Sequence, residues 1–298
     1  MTSPARDLAA AFYEHLRKEV LGGNPALSPS ESAALRAFYG RMEQSSHVPP
    51  ALAGQIYVDR RAPVIATVLG KSSARVLDAG CGYGSESFLL ASSGARVLAV
   101  DRSPRQVEIA EKRLPYFERL LGRTLEVSFE VADLEGYAPP SPDLDLTWLG
   151  SVLAAISDQQ SLVDRVYEAS KTGGHIAVSD MNLRNPLFLY RESRRRRRAR
   201  NTEFTREGNF LKMLRRQDRL GARYYGTRGG APFDDVQFFT PATLSRVLAS
   251  AGFRPLSPEF SGLAPPQLGR MAAALEPDLR RLPGVRSLAY FYLLMGVK

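Results

Sequence analysis

The ten residues from Val76 to Ser85, Val-Leu-Asp-Ala-Gly-Cys-Gly-Tyr-Gly-Ser, restrict the fold more than any other part of this 298-residue chain. An apolar run ends in an acid and three glycines at alternate positions, and a helix-like stretch follows over residues 85–93. Because glycine lacks a Cβ, such a loop turns sharply and lets a ligand lie against the backbone. The order of strand, glycine loop and helix predicts the first unit of a parallel α/β sheet.

A second acid, Asp101, ends the next apolar run, residues 96–100. It follows the glycine loop by about 20 residues, where nucleoside-binding α/β units place a carboxylate for the ribose hydroxyls. The dinucleotide pattern G-x-G-x-x-G is not met, because Ser85 takes its last position and Gly84 comes one residue early. Asp78, beside the loop, would repel a pyrophosphate and attract a cation. These features predict a nucleoside cofactor that carries positive charge.

Five motifs in order resemble those of the class I S-adenosylmethionine (SAM)-dependent methyltransferases. They lie at residues 78–84, 100–106, 129–134, 144–151 and 173–180, and residues 240–253 resemble the helix before the sixth strand. The resemblance covers residues 74–182 and returns over 238–298. It implies a seven-stranded, mostly parallel α/β sheet with helices on both faces, a Rossmann-like fold.

The resemblance also implies SAM as the cofactor, with S-adenosylhomocysteine as the product. In this family the acid before the loop and the loop backbone hold the methionine part, the acid after the second strand binds the ribose, and a third acid meets the adenine amine. Cys81, inside the loop, is interpreted as a small side chain beside the cofactor rather than a nucleophile. The predicted cofactor residues are Tyr57, Arg61, Asp78, Gly80, Cys81, Gly82, Gly84, Asp101, Arg102, Gln106, Ala132, Asp133, Leu134, Leu149 and Gly150.

Four segments are predicted along the chain. Residues 1–70 form an N-terminal helical lid, because apolar residues recur with helical spacing and Ser28 to Glu31 forms a capping box. Residues 71–182 form the SAM-binding core, and 240–298 complete it. Residues 183–239 are too long for a plain connection of about 2–6 residues. They are predicted to be a helical, substrate-covering insertion with a turn or hairpin tip over residues 224–230.

The positive charge lies in that insertion. The chain has a net charge of +9, whereas residues 183–230 carry fifteen Arg or Lys and four acids, a net +11. The run from Arg191 to Arg200 has three interpretations: a solvated face, a surface for an anionic substrate or membrane, or a nucleic-acid contact. Against the third, the chain lacks a recognisable RNA-binding module. Trp148 to Ser151 also replaces the Asn/Asp-Pro-Pro-aromatic motif of nucleic-acid amino-methyltransferases.

The catalytic residues are less clearly marked. Many relatives carry Glu-His after the fourth strand, where this chain has Ala154 and Ala155. His47 is the best remaining histidine for a general base, with a polar loop residue as the alternative, and Asp180 is a second candidate. The residues predicted to contact substrate are Asn182, Tyr224 and Tyr225. The three histidines are too scattered to predict a metal site.

The expected function is methyl transfer to a small-molecule or lipid-linked acceptor, with O-methylation favoured and an anionic acceptor among the options. The alternatives are an RNA methyltransferase that uses the Arg-rich insertion, and a non-enzymatic SAM-binding scaffold. One cysteine, no signal-peptide pattern and no apolar run of about 18 residues predict a cytoplasmic protein. Peripheral contact with an anionic membrane is an option. Nothing in the sequence predicts the oligomeric state.

Overall fold

The computed structural model describes residues 3–43, 50–71, 73–139, 142–182, 184–186, 222–228, 231–263, 270–282 and 284–298. His47 and the run from Arg191 to Arg200 lie outside these residues, so the predictions made for them are not tested. Tyr224 and Tyr225 lie in a strand of which the structure describes the backbone but not these side chains.

Three helices precede the sheet: α1 (Pro4–Gly22), α2 (Pro29–Glu43) and α3 (Pro50–Val68). The predicted capping box begins α2, since Ser28 Oγ accepts the Glu31 N–H at 3.3 Å and Glu31 accepts the Ser28 N–H at 2.7 Å. Helix α1 packs against both α2 and α3. The helices of the predicted lid are therefore present, and they pack as one group.

The main sheet is mixed and mostly parallel, as the resemblance implies. It comprises β1 (Arg75–Ala79), β2 (Arg96–Asp101), β3 (Val127–Val131), β4 (Leu144–Gly150), β5 (Ser170–Met181), β8 (Arg254–Pro255), β9 (Glu259–Ser261) and β10 (Phe291–Val297). The order is β3-β2-β1-β4-β5-β10-β8, with β9 paired to β10. Strands β1 to β5 are parallel, and β10 is antiparallel to β5. The predicted fold class is confirmed, with eight strands instead of seven because β8 and β9 are separate short strands.

Helices cover both faces of this sheet. Helices α4 (Ser85–Ser92) and α5 (Pro104–Leu121) share one face with the lid, while α6 (Gln159–Ala169) and α7 (Pro241–Ala251) cover the other. Successive strand residues alternate between the two cores: Trp148 lies in the first and Leu149 in the second. The helix α8 (Arg270–Arg281) contacts α3.

The end of the predicted insertion is a two-stranded antiparallel ribbon. Strands β6 (Ala222–Arg228) and β7 (Ala231–Phe238) pair with each other and not with the main sheet. The turn or hairpin tip expected over residues 224–230 overlaps β6, whereas the helical prediction for the insertion is wrong for Ala231–Phe238. Aromatic and β-branched residues such as Tyr224, Tyr225 and Thr227 favour a strand over a helix here.

Candidate active site

Three glycines give the loop after β1 its course. Gly80, Gly82 and Gly84 have φ values of +82°, +54° and +79°, in the left-handed region. A Cβ on Gly80 would also lie 2.3 Å from Cγ2 of Val152, so a side chain at this position would require Val152 to shift. The N–H groups of Gly80 and Cys81 both donate to the carbonyl of Val100, at 2.7 and 3.0 Å. The loop is therefore fixed against the end of β2.

Asp101 joins the two loops that follow β1 and β2. One carboxylate oxygen accepts the Gly82 N–H and the other accepts the Ser103 N–H, both at 2.9 Å. A carboxylate oxygen has about two acceptor sites, so each oxygen keeps capacity for a further donor. The half-buried carboxylate is thus oriented by the backbone and can accept two hydroxyls of a ribose.

Asp78 is a buried acid behind the loop. It is 1% exposed, and its carboxylate accepts the Ser87 hydroxyl at 2.5 Å. Burial raises the pKa of Asp78 to about 7, and the nearby acids Glu86 and Asp101 add to the rise. An ionised carboxylate with no cationic partner in contact would be stabilised by a bound cation.

The ends of β3 and β4 complete this edge of the sheet. Asp133 is exposed, Leu134 is buried, and the Ala132 N–H donates to the carbonyl of Asp101 at 3.1 Å. Gly150 ends β4, where a Cβ would lie 2.7 Å from Nε1 of Trp148. Because these strands are parallel, their carboxyl ends meet at one edge, which is where ligands bind in such sheets.

The predicted cofactor residues are thus brought together, apart from two on the lid. Arg102 is exposed and Gln106 is half-buried at the start of α5, with the Gln106 side chain near Gly82. Burial raises the pKa of the Cys81 thiol far above its usual value, so it is not poised as a thiolate nucleophile. The structure shows that the predicted cofactor residues lie close together. Their roles as cofactor ligands remain predictions.

Tyr57 and Arg61 lie on α3. The guanidinium of Arg61 lies 3.8 Å from the centre of the Tyr57 ring and forms an ion pair with Glu86 of α4. The Tyr57 hydroxyl is buried and finds no hydrogen-bond partner among the described residues. Arg61 would therefore have to share its guanidinium between Glu86 and a cofactor carboxylate.

Two predicted residues follow one another at the end of β5. Asp180 is 2% exposed and accepts the Met181 N–H at 2.7 Å, and burial raises its pKa to about 6. Asn182 donates to the carbonyls of Ser287 and Ala289, at 2.8 and 3.0 Å, and accepts the Arg184 N–H. The Asn182 amide is thus engaged by the main chain, whereas one carboxylate oxygen of Asp180 accepts no hydrogen bond from the described residues.

A buried ion pair, which the sequence did not predict, connects the lid to the glycine loop. Arg113 of α5 is fully buried and binds Glu19 of α1 through two nitrogens, at 2.6 and 2.9 Å. It also donates to the carbonyl of Tyr83 and to Ser85 Oγ, which accepts at 3.0 Å. Tyr39 of α2 donates to the same Ser85 oxygen at 2.5 Å. Two lid helices therefore hold the end of the loop.

Arg60 is a second residue that the sequence analysis missed. It is 7% exposed, donates through Nε to Ser179 Oγ at 2.8 Å, and stacks 4.3 Å from the centre of the Phe291 ring. The signal available in the sequence was its place beside Arg61.

The described residues show neither a metal site nor a membrane span. These contain no cluster of three His, Cys, Asp or Glu side chains that could hold a metal ion. None of their helices has the length and hydropathy needed to span a bilayer.

Comparison with known proteins supplies the family. A family model described as a methyltransferase domain matches residues 70–221, half of the chain. The chain belongs to this family of methyltransferase domains. At the level of the family, the predictions of a class I SAM-dependent methyltransferase and of SAM as the cofactor are confirmed.

Curated relatives match over less than half of this chain. The chain is 31% identical over 134 residues to the trans-aconitate 2-methyltransferase of Variovorax paradoxus, a match covering 43% of this chain and 48% of the relative. It is 32% identical over 134 residues to the ubiquinone biosynthesis O-methyltransferase of Xylella fastidiosa, covering 45% and 49%. Phosphoethanolamine N-methyltransferase 1 of Triticum aestivum is 32% identical over 111 residues, covering 37% and 21%. The chain thus spans about half the length of these relatives, or less.

Solved structures share the fold at lower identity. A SAM-dependent methyltransferase from Methanosarcina mazei is 18% identical with a TM-score of 0.53, over 79% of this chain and 97% of that one. The 4+2 cyclase SpnF is 17% identical with a TM-score of 0.51, over 100% and 97%. These likenesses concern the fold alone.

Proposed function

We propose that this chain transfers the methyl group of SAM to an oxygen of a small anionic molecule and releases S-adenosylhomocysteine. The observation that carries the proposal is Asp101, whose two carboxylate oxygens are oriented by the N–H groups of Gly82 and Ser103. A carboxylate held in this way beside a glycine loop suits a ribose diol, and the buried Asp78 suits the cationic part of the same cofactor.

Bound SAM supplies a methyl group on a positively charged sulfur. The acceptor oxygen forms a bond to the methyl carbon as the sulfur–carbon bond breaks, and the sulfur leaves as a neutral thioether. The protein's contribution is to align donor and acceptor and to exclude water. The lid suits this task, because α2 is hydrogen-bonded and α1 ion-paired to groups around the glycine loop.

The lack of a basic side chain at residues 154 and 155, where many relatives carry Glu-His, favours an acceptor that is already ionised. Ala154 and Ala155 lie in a single 3-10 turn after β4, and neither can take a proton. A carboxylate has a pKa of about 4 and needs no base at neutral pH, whereas an alcohol does. A match to an enzyme named for trans-aconitate, a carboxylate, agrees with this choice. For a hydroxyl acceptor, Asp180 is the buried carboxyl that could take the proton.

Calorimetric titration with SAM and S-adenosylhomocysteine tests the cofactor. Asp101→Ala should weaken both by roughly 100-fold or more, because two hydrogen bonds to a charged acceptor are lost, each contributing about 1.5–3 kcal/mol. Glu126→Gln is the matched control: it removes a carboxylate that pairs with Arg96, is 62% exposed and lies before β3. A folded wild-type protein that binds neither compound would refute the proposal.

Transfer itself is measured with methyl-labelled SAM. Trans-aconitate, phosphoethanolamine and a phenol are suitable acceptors, because they differ in the atom that would receive the label. Label in a methyl ester of trans-aconitate is the expected result. Label on a nitrogen would contradict the choice of oxygen while leaving methyl transfer intact.

A further inference from the structure

Arg60 is a buried cation without a carboxylate in contact. It is 7% exposed, yet within the described part of the chain its only hydrogen bond runs from Nε to Ser179 Oγ. Its two terminal nitrogens donate to no described protein group, and no described acid lies within ion-pair distance. Burial and the neighbouring Arg61 lower the pKa of Arg60 to about 9, although the more distant charges of Asp180 and Glu86 act in the opposite direction. Buried arginines are normally paired.

The neighbours of Arg60 on α3 show the contrast. Asp59 is paired with Arg6 at 2.7 Å, and Arg61 is paired with Glu86. Arg60 lies between them in the sequence and forms no ion pair with any described carboxylate. Its guanidinium plane is nevertheless fixed, by the Ser179 hydroxyl on one nitrogen and by the ring of Phe291. The two terminal nitrogens are therefore oriented without being used.

Arg60 lies on the side of the site away from Asp101, the acid predicted to bind the ribose. Its contact Ser179 lies near the carboxyl end of β5 and is paired in register with Gly150, which ends β4. Asp101 ends β2, on the other side of β1. Since ligands bind outside the carboxyl ends of such strands, a cofactor over β1 and β2 leaves the β4–β5 side for the acceptor.

A second group close by also has no partner. The Tyr57 hydroxyl is on α3, one helical turn before Arg60, and it is buried without a hydrogen bond among the described residues. A buried hydroxyl that is left unpaired costs free energy, so a ligand that offers it a hydrogen bond would be favoured here. One helix thus carries a cation and a hydroxyl, both unpaired.

We infer that Arg60 binds the oxyanion of the methyl acceptor, a carboxylate or a phosphate, through its two terminal nitrogens. The planar fork of a guanidinium matches both groups with two parallel hydrogen bonds. This inference rests on the proposed function and adds the residue that would select an anionic acceptor. Binding would also supply the contact ion pair that Arg60 lacks among the described residues.

Anion binding to the protein saturated with S-adenosylhomocysteine tests the inference. The probes are trans-aconitate, phosphoethanolamine and inorganic phosphate, titrated calorimetrically into wild type, Arg60→Met, Arg60→Lys and Arg96→Met. Arg60→Met keeps the apolar stem and should weaken the best-bound anion by roughly 10- to 100-fold. Arg60→Lys should fall between, and Arg96→Met should match wild type because Arg96 is 61% exposed and distant. The anion that shows the effect identifies the acceptor as a carboxylate or a phosphate.

Folding and cofactor binding are checked on the same variants. Arg60→Met should melt at or above the wild-type temperature, because it removes an unpaired buried charge. Ser179→Ala is the second variant: it keeps the charge and frees its orientation, so a smaller weakening is expected. The affinity for S-adenosylhomocysteine should be unchanged in Arg60→Met. A wild-type protein that does not bind S-adenosylhomocysteine would instead refute the proposed function.

Two results would overturn the inference. One is that no probe binds wild type more tightly than Arg60→Met. The other is that Arg60→Met weakens S-adenosylhomocysteine but not methylthioadenosine, which has no carboxylate. Arg60 would then hold the amino-acid end of the cofactor and not the acceptor.

Discussion

Replacing Glu19 by Met should destabilise the protein and loosen the glycine loop together. The Glu19 and Arg113 side chains are both 0% exposed and are joined by three hydrogen bonds of 2.6, 2.9 and 3.2 Å. Methionine is similar in size to glutamate but leaves the guanidinium buried with no counter-charge. Breaking a buried pair by removing one partner costs about 3–5 kcal/mol of unfolding free energy.

A double-mutant cycle separates this cost from the loss of packing. Arg113→Met should be similarly harmful, since it leaves a buried carboxylate. The double variant should be less unstable than the sum of the two, because it leaves no unpaired charge, and we expect a coupling of about 2–3 kcal/mol. Urea unfolding provides the free energies. The exposed pair of Arg96 and Glu126 is the control, and its removal should cost less than about 1 kcal/mol.

The functional part of the prediction follows from the other contacts of Arg113. This side chain also holds the carbonyl of Tyr83 and the hydroxyl of Ser85, at the end of the glycine loop. Glu19→Met should therefore weaken S-adenosylhomocysteine binding, although Glu19 lies on a lid helix away from the cofactor residues. A Glu19→Met protein within about 1 kcal/mol of wild type would refute the assignment of this pair as a major stabilising contact.

Three further predictions concern the loop and the buried acids. Gly80→Ala should abolish S-adenosylhomocysteine binding and destabilise the fold, because its Cβ would meet Val152; Gly82→Ala has space and should cost only about 1 kcal/mol in a urea titration. With Asp78 ionising at a pKa of about 7, calorimetric affinity for the cationic cofactor should rise about tenfold from pH 6 to pH 8, and Asp78→Asn should remove that rise. The pKa of Asp180 is raised in the folded state, so ionisation disfavours folding. Urea stability should fall by up to about 3 kcal/mol between pH 4 and pH 7, and an equal fall in Asp180→Asn would contradict this.

The parts of the structure that the sequence predicted are those with short-range signals. The segment from Asp78 to Ser85 forms a strand, glycine loop and helix because each residue's conformational preference agrees with the next. Helix α5 begins where Ser103 caps it and Pro104 starts it, and it runs on through Pro115 without a break. The register of the parallel sheet then brings Asp101 to the loop.

The parts that could not be predicted depend on contacts between distant residues. Glu19 and Arg113 are 94 residues apart, and from the sequence each is expected on the polar face of an amphipathic helix. Their fully buried positions follow only from the packing of α1 on the core. In the same way, β6 and β7 pair two segments of the predicted insertion with each other. Local helix and strand preferences are too weak to predict this pairing.

Arg60 and Arg61 show why neighbouring residues of one type can have different functions. Successive residues of a helix are about 100° apart, so the two side chains leave α3 in different directions. One meets Glu86, on the helix that begins at the glycine loop, and its charge is matched; the other meets Ser179 and Phe291, which offer no charge. Helix α3 therefore joins the cofactor side of the sheet to the acceptor side. A lid built in this way fixes its own position with one arginine and leaves the other for a ligand.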